Sequence, residues 1–130
     1  MNEVAAKTRV LVIDDSTIVR RYMRDALERA GFAVDEAFNG VEAMEKIITD
    51  PFDLLVVDVN MPKMDGYTFL RTLRGRAADV ASIPALMTST EAKPQDVDAA
   101  RAAGANYYLV KPVSQDSLVL HAQALTGRAP

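Results

Sequence analysis

The sequence predicts an α/β fold in which helices cover both faces of one parallel sheet. Short apolar runs of strand length alternate along the chain with longer segments whose apolar residues recur at helical spacing. One run, from Leu54 to Val57, has four consecutive apolar residues, which is typical of a strand buried on both faces. Strands and helices that alternate in this way form parallel sheets with right-handed crossovers.

Three strands and three helices are predicted in the first half of the chain. We expect residues 1–8, which are mostly small and polar, to form a disordered tail. The predicted strands are residues 9–13, 32–37 and 54–58, and the predicted helices are residues 17–30, 40–49 and 66–73. Capping and turn residues such as Ser16 and Asp65 precede the helices. Helical spacing places Ile18, Val41 and Ile48 on the inward faces.

The second half adds two strands and two helices after a polar, alanine-rich connection at residues 75–82. We predict a strand at residues 83–88, a helix from Pro94 to Ala103, a strand at residues 107–110 and a short helix after Ser114. Five strands and five helices indicate a flavodoxin-like doubly wound sheet with strand order 2-1-3-4-5, an order taken by analogy with that fold. The domain should span residues 9–126, with a second tail at residues 127–130.

The composition is that of an ordinary globular domain. The 130 residues fit one domain, and 49% of them are hydrophobic and 25% charged. A net charge of −3 and a pI of about 5.1 argue against a nucleic-acid surface. The absence of cysteine excludes disulfides, and no N-terminal run is apolar enough for a signal peptide or membrane span. We therefore expect a cytoplasmic monomer that does not insert into membranes.

Acidic residues follow two strands that are neighbours in the predicted sheet. Asp14 and Asp15 follow the first strand and Asp58 ends the third, so these three carboxylates should meet at one edge of the sheet. Carboxylates packed so closely repel one another unless a cation lies among them, and hard oxygen donors suit Mg²⁺. Helix capping is the ordinary alternative for the Asp14–Asp15 pair.

A lysine and a group of hydroxyls should reach the same edge. Lys111 follows the fifth strand, and Thr88, Ser89 and Thr90 end the fourth. Solvated loop and turn residues are the ordinary alternatives for each of them. Taken together, acids, a divalent cation, a lysine and a hydroxyl form a site for a phosphoryl group, in which one carboxylate can act as the nucleophile.

Three motifs resemble those of response-regulator receiver domains, and the chain is similar in size to the CheY-like single-domain regulators. The motifs are Ile13-Asp14-Asp15-Ser16, the stretch from Val57 to Gly66, and Tyr108-Leu109-Val110-Lys111-Pro112. The resemblance covers roughly residues 9–125. It implies that Asp58 accepts a phosphoryl group from a histidine kinase or phosphotransfer protein, so the chain would be a phosphoacceptor and not an enzyme with a separate substrate.

The resemblance also implies how Mg²⁺ is bound. Asp15 and Asp58 would be side-chain ligands, Asn60 would contribute its backbone carbonyl, and Asp14 would act largely through water. Lys111 would pair with the phosphoryl group, and its peptide bond to the following proline would be cis.

A switch pair follows from the same resemblance. The family's switch hydroxyl lies 22 residues before the lysine, a position held here by Ser89 and not by Thr88. Tyr108, three residues before the lysine, would be the aromatic ring that moves inward after phosphorylation. A half-buried strand tyrosine is the alternative for that residue. Asn60 and Glu91 would flank the path of the water that removes the phosphoryl group.

We expect a stand-alone regulator, since residues 126–130 are too few for an output domain. Its signal would leave by phosphorylation-dependent docking of the kind used in chemotaxis, through the face around Lys93, Tyr108 and Val113. A phosphorelay intermediate, or a single-domain regulator outside chemotaxis, is the alternative.

Three other functions are disfavoured by particular positions. An aspartyl-phosphate phosphatase needs a second acid two residues after its nucleophile, where this chain has Asn60. A nucleotide- or flavin-binding module needs a glycine- or hydroxyl-rich first turn, where this chain has Asp14 and Asp15. A receiver-shaped scaffold that is never phosphorylated would typically lack an acid or the lysine, and this chain has them all. His121 is interpreted as a surface residue and not as a phosphotransfer histidine.

Overall fold

A five-stranded parallel sheet forms the centre of the protein, which we describe from a computed structural model of residues 7–127. The strand order is β2-β1-β3-β4-β5, as predicted. The strands are β1 (Arg9–Ile13), β2 (Ala33–Ala37), β3 (Leu54–Asp58), β4 (Ala85–Ser89) and β5 (Tyr107–Val110). The helices are α1 (Thr17–Arg29), α2 (Gly40–Thr49), α3 (Gly66–Arg74), α4 (Ala78–Ala81), α5 (Pro94–Ala103) and α6 (Gln115–Thr126). The predicted tails fall mostly outside the described residues, and they stay predictions.

Two layers of helices cover the sheet and bury its central strands, whose apolar side chains alternate between the two faces. In β3, Leu54 and Val56 pack on one side against α1 and α6. Leu55 and Val57 pack on the other side against α2, α3 and α5. Every residue of β3 is buried, as expected for the central strand of a sheet covered on both faces.

Residues 7–127 contain six helices where the sequence predicted five. The additional helix, α4, is a single turn within the connection at residues 75–82, and its alanines favour helical backbone. Arg74 holds this region in place through its guanidinium, which donates to the carbonyls of Ala81 at 2.7 Å, Ile83 at 2.6 Å and Gly104 at 2.8 Å. Such long-range contacts from one arginine are not visible in the local sequence pattern.

Some residues predicted to face inward are exposed. Ile18 is 82% exposed, and Val41 and Ile48 are about half exposed. The reason is helical geometry: the buried stripes of these helices are narrow, centred in α1 on Met23, Ala26 and Leu27 and in α2 on Ala43, Met44 and Ile47. At 3.6 residues per turn, Ile18 and Val41 lie well off those stripes, whereas Ile48 lies one turn after Met44, at the margin of the stripe in α2. The apolar periodicity therefore overestimated how much of each helix is covered.

Candidate functional site

The carboxyl ends of β1 and β3 bring three carboxylates together. Asp14, Asp15 and Asp58 each offer an oxygen within 4.8 Å of the others. Asp14 is 1% exposed and Asp58 is 5% exposed, whereas the side chain of Asp15 is open to solvent. Gly66 allows α3 to begin directly above β3, because a β-carbon there would collide with the backbone carbonyl of Asp58.

Lys111 lies between the two buried acids. Its Nζ is 2.7 Å from Oδ2 of Asp14 and 3.1 Å from Oδ1 of Asp58. The other oxygen of Asp14 accepts from the backbone N–H of Ser16 at 2.9 Å, so protein donors occupy both oxygens of Asp14. The bond between Lys111 and Pro112 is cis. Burial acts to lower the pKa of Lys111, but the hydrogen bond and charge of Asp14, followed by those of Asp58, outweigh burial and raise it.

The electrostatics of the site disfavour a charged Asp58. Burial, and then the nearby charge of Asp14, raise the pKa of Asp58 to about 6, although Lys111 acts to lower it. A single lysine therefore does not neutralise the cluster.

The donor set fits a hard divalent cation such as Mg²⁺. The carboxylates supply oxygen ligands, and their mutual repulsion is what a bound cation would relieve. Asp15 faces solvent, and Asn60, two residues past the end of β3, is also exposed. The exposed side of the cluster leaves room for the waters that Mg²⁺ retains.

The raised pKa of Asp58 leads to a pH prediction for the metal-free protein. Its folded-state pKa of about 6 lies above its ordinary value of 3.8, so the folded state binds the proton more tightly than the unfolded state. The free energy of unfolding should therefore fall as pH rises from about 4 to about 6. Because Asp58→Asn removes this penalty, we expect the variant in EDTA to melt at a higher temperature than wild type at pH 7.5, with a smaller difference at pH 4. If the melting temperatures of wild type and Asp58→Asn differed by the same amount at pH 4 and at pH 7.5, the prediction would be wrong.

The two hydroxyls at the end of β4 have different environments. The side chain of Ser89 is completely buried, and its Oγ accepts from the backbone N–H of Glu91 at 3.0 Å. Thr88 pairs in register with Asp58 and is also buried, but its Oγ1 has no hydrogen-bond partner within residues 7–127. The sequence placed β4 at residues 83–88, whereas the strand begins at Ala85 and includes Ser89.

Tyr108 links β5 to the loop that follows β4. Its ring packs against the core, and its hydroxyl donates to the backbone carbonyl of Glu91 at 2.7 Å. A second tyrosine, Tyr67 at the start of α3, packs against the same hydrophobic core, and its hydroxyl donates to the backbone carbonyl of Asp96 at 3.3 Å. Burial, and then the proximity of the Tyr108 hydroxyl, raise the pKa of Tyr67. Tyr67 was not predicted as a site residue, because its helical position gives no signal of this contact.

Two further residues of the site differ from expectation. Val113 was predicted on the docking face, but it is buried among the core residues beside α1 and α6. Arg20 had no predicted role, but its side chain turns back from α1 and donates to the backbone carbonyl of Asp14 at 2.6 Å. Its position in the first turns of a helix that follows an acidic strand end was the available signal.

The chain belongs to the response regulator receiver domain family, whose model matches residues 10–123. Over 123 residues it is 37% identical to the transcriptional regulatory protein ResD of Bacillus subtilis, an alignment that covers 95% of this chain and 50% of ResD. Over 107 residues it is 41% identical to a gliding motility regulatory protein of Myxococcus xanthus, covering 82% of this chain and 14% of that protein. The chain thus spans half or less of these two curated relatives.

The fold is also that of solved receiver structures. The chemotaxis response regulator CheY4 of Vibrio cholerae superposes with a TM-score of 0.87 at 34% identity, over 92% of this chain and 99% of CheY4. A response regulator from Chloroflexus aurantiacus gives a TM-score of 0.89 at 31% identity, over 95% of this chain and all of that one. Among the helices within residues 7–127, none is both long and apolar enough to cross a membrane.

Proposed function

We propose that the protein is a response regulator of a two-component system that accepts a phosphoryl group on Asp58 from a histidine kinase or phosphotransfer protein. The observation that carries this proposal is the setting of Asp58. It is a buried carboxylate at the end of the central strand, 3.1 Å from a lysine ammonium and within a cluster of acids that fits a cation. An oxygen acceptor beside positive charge is the arrangement that phosphoryl transfer requires.

The transfer step follows from this arrangement. One oxygen of Asp58 attacks the phosphorus of the donor's phosphohistidine, and the phosphorus–nitrogen bond breaks. The bonding electrons stay on the imidazole nitrogen, which takes up a proton from solvent. The ammonium of Lys111 then pairs with the oxygens of the transferred group. It can do so because it already lies 3.1 Å from the acceptor carboxylate.

Mg²⁺ is the cofactor we assign, held by the side chains of Asp15 and Asp58 and by the backbone carbonyl of Asn60. When bound, it would supply the positive charge that the acid cluster lacks. Asp14 then has a structural part in the site, since its two oxygens anchor Lys111 and the backbone of Ser16.

The switch we propose consists of Ser89 and Tyr108. Ser89 would turn its hydroxyl from the backbone of Glu91 to the phosphoryl oxygens, and the Tyr108 ring, which packs partly buried against the core, would move further inward. The carbonyl of Glu91 accepts from Tyr108 and its N–H donates to Ser89, so both members of the switch act on one loop residue.

Output would occur by docking to a partner protein, and we place the protein in the cytoplasm as a monomeric messenger of the chemotaxis type. The similarity to CheY4 supports this assignment. The docking face is the one formed by α5, β5 and α6, where Lys93, Tyr107 and Val110 are exposed. A phosphorelay intermediate, or a regulator outside chemotaxis, is the second candidate, because ResD and the Myxococcus protein act in other processes by their names.

One experiment tests transfer and lifetime together. A radiolabelled phosphohistidine donor is mixed with the protein in Mg²⁺, the donor is removed, and the label on the protein is followed with time. We expect transfer, followed by decay within minutes, because Asn60 and Glu91 are both exposed and leave room for the attacking water. Asn60→Arg should slow the decay severalfold by blocking that path, and Asn60→Ser should not.

The possible results separate the candidates. Label that persists for hours on the wild-type protein would contradict the messenger assignment and favour the phosphorelay intermediate. If no donor labelled the protein, small phosphodonors included, the receiver function itself would be contradicted.

A further inference from the structure

We infer that Arg20 is a positioning residue for the cation site: it holds the peptide unit between Asp14 and Asp15 so that the carboxylate of Asp15 faces the cation. The role of Arg20 rests on the proposed function, since the cation matters only to a protein that accepts a phosphoryl group. It concerns a residue outside the acid cluster and outside the lysine and hydroxyl groups already described.

The guanidinium of Arg20 joins three elements at the edge of the site. It donates to the backbone carbonyl of Asp14 at 2.6 Å, to Oε1 of Glu36 at 2.9 Å and to Oγ1 of Thr17 at 3.2 Å. These acceptors belong to the connection after β1, to β2 and to the first residue of α1. The side chain is only 13% exposed, so the arrangement is enclosed and not a solvated surface pair.

The segment that Arg20 holds is short and carries the exposed acid. Only residues 14–16 connect β1 to α1. The side chain of Asp14 is anchored by Lys111 and by the N–H of Ser16, but none of the hydrogen bonds or ion pairs found within residues 7–127 uses the side chain of Asp15. The direction of the Asp15 side chain therefore depends on its backbone, and the peptide plane before it is the one that Arg20 fixes.

Positioning and charge make opposite predictions for Arg20. A guanidinium presents a planar set of five donors, so it can hold a carbonyl, a carboxylate and a hydroxyl at once, which a lysine ammonium on a flexible stem cannot reproduce. Its positive charge, in contrast, repels a nearby cation. Arg20→Lys keeps the charge and loses the geometry, whereas Arg20→Gln loses the charge as well.

The chain offers a matched control in Arg24. It also pairs with Glu36, with 2.8 Å between Nη1 and Oε2, but among residues 7–127 none of its hydrogen bonds or ion pairs reaches residues 14–16. Replacing Arg20 or Arg24 by lysine therefore disturbs the same acceptor, and only the first change releases the carbonyl of Asp14.

The test is a Mg²⁺ titration of the full chain, followed by amide shifts in NMR spectra. We expect Arg20→Lys to weaken Mg²⁺ binding roughly tenfold, the scale of effects found when partners that orient metal ligands are removed. Arg24→Lys should stay within about twofold of wild type, a much smaller change than that scale. At saturating Mg²⁺, acetyl phosphate should still label Arg20→Lys, because the acceptor carboxylate is intact.

A second set of variants shows whether Arg20 acts through Asp15. In an Asp15→Asn background, adding Arg20→Lys should cost much less Mg²⁺ affinity than it costs in wild type, since the ligand it orients has been weakened. Fully additive losses would overturn the inference. Wild-type Mg²⁺ affinity in Arg20→Lys would also overturn it. If Arg20→Gln bound Mg²⁺ more tightly while Arg20→Lys was unchanged, Arg20 would act on the cation only through its charge.

Failure of this inference and failure of the proposed function remain distinguishable. If wild type is labelled by acetyl phosphate and Arg20→Lys binds Mg²⁺ normally, only the role of Arg20 is wrong. If wild type is never labelled, the receiver function is wrong whatever the titration shows. Thermal melting of each variant separates a loss of affinity from a loss of fold.

Discussion

In the presence of Mg²⁺, acetyl phosphate is expected to add one phosphoryl group to the wild-type protein and none to Asp58→Asn. The carboxylate of Asp58 is the proposed acceptor, and the amide of asparagine is a poor nucleophile at the same position. EDTA should abolish labelling of the wild-type protein, because the remaining positive charge of Lys111 does not offset the acid cluster. Intact-mass spectrometry measures the added group directly.

The same strand supplies a control for this experiment. Asp53 precedes β3 at the opposite end, where its side chain accepts from the backbone N–H of Arg9 at 2.8 Å. Asp53→Asn makes the same chemical change far from the site and should be labelled like wild type. A full equivalent of phosphoryl group on Asp58→Asn would show that the acceptor is another residue.

Asp15→Ala should weaken metal binding more than Asp14→Ala, because only Asp15 is expected as a direct ligand.

Ser89→Ala is expected to keep phosphorylation and to lose most of the conformational response to it. The hydroxyl of Ser89 is buried and can exchange its hydrogen bond from the Glu91 N–H for one to a phosphoryl oxygen. A hydrogen bond to a charged group contributes roughly 1.5–3 kcal/mol. That energy corresponds to a shift of roughly tenfold to a hundredfold in a two-state equilibrium. The response can be read as the NMR shifts that beryllofluoride induces at Tyr108 and in α5.

Thr88→Val is the matched variant for this prediction. Thr88 is the neighbouring hydroxyl, paired in register with Asp58, and valine has nearly its shape. Because the Oγ1 of Thr88 is buried without a hydrogen-bond partner among the described residues, its removal should not lower stability. We expect Thr88→Val to retain the beryllofluoride response. A full response in Ser89→Ala, together with its loss in Thr88→Val, would mean that the switch hydroxyl is Thr88.

The sequence predicted the parts of this site that follow from topology. Asp14 follows β1 and Asp58 ends the neighbouring β3, and in a parallel sheet those ends meet at one edge, so their convergence needs no knowledge of side-chain packing. The helix α5 likewise runs from Pro94 to Ala103 as predicted, and Gly104 follows it with a φ of 105°. Periodicity and turn chemistry are local properties, and these elements were found because local properties decide them.

The parts that the sequence did not predict depend on contacts between distant elements. Arg20 donates to β2, and Arg74 donates to carbonyls near α4 and α5. These hydrogen bonds depend on side-chain conformations that are fixed only when the elements pack together. The burial of Val113 is decided in the same way, by α1 and α6. The periodicity of apolar residues within one segment does not indicate which neighbouring element will cover that segment.

The central claim is that Asp58 carries an acyl phosphate whose formation depends on Mg²⁺, and borohydride trapping tests it most directly. Borohydride reduces an acyl phosphate to an alcohol, so a phosphorylated aspartate becomes homoserine, which peptide sequencing by mass spectrometry places on the chain. The predicted result is homoserine at position 58 alone, formed with acetyl phosphate and Mg²⁺ and absent in EDTA. Homoserine at another acidic residue, or an equal yield at position 58 without the cation, would contradict the claim.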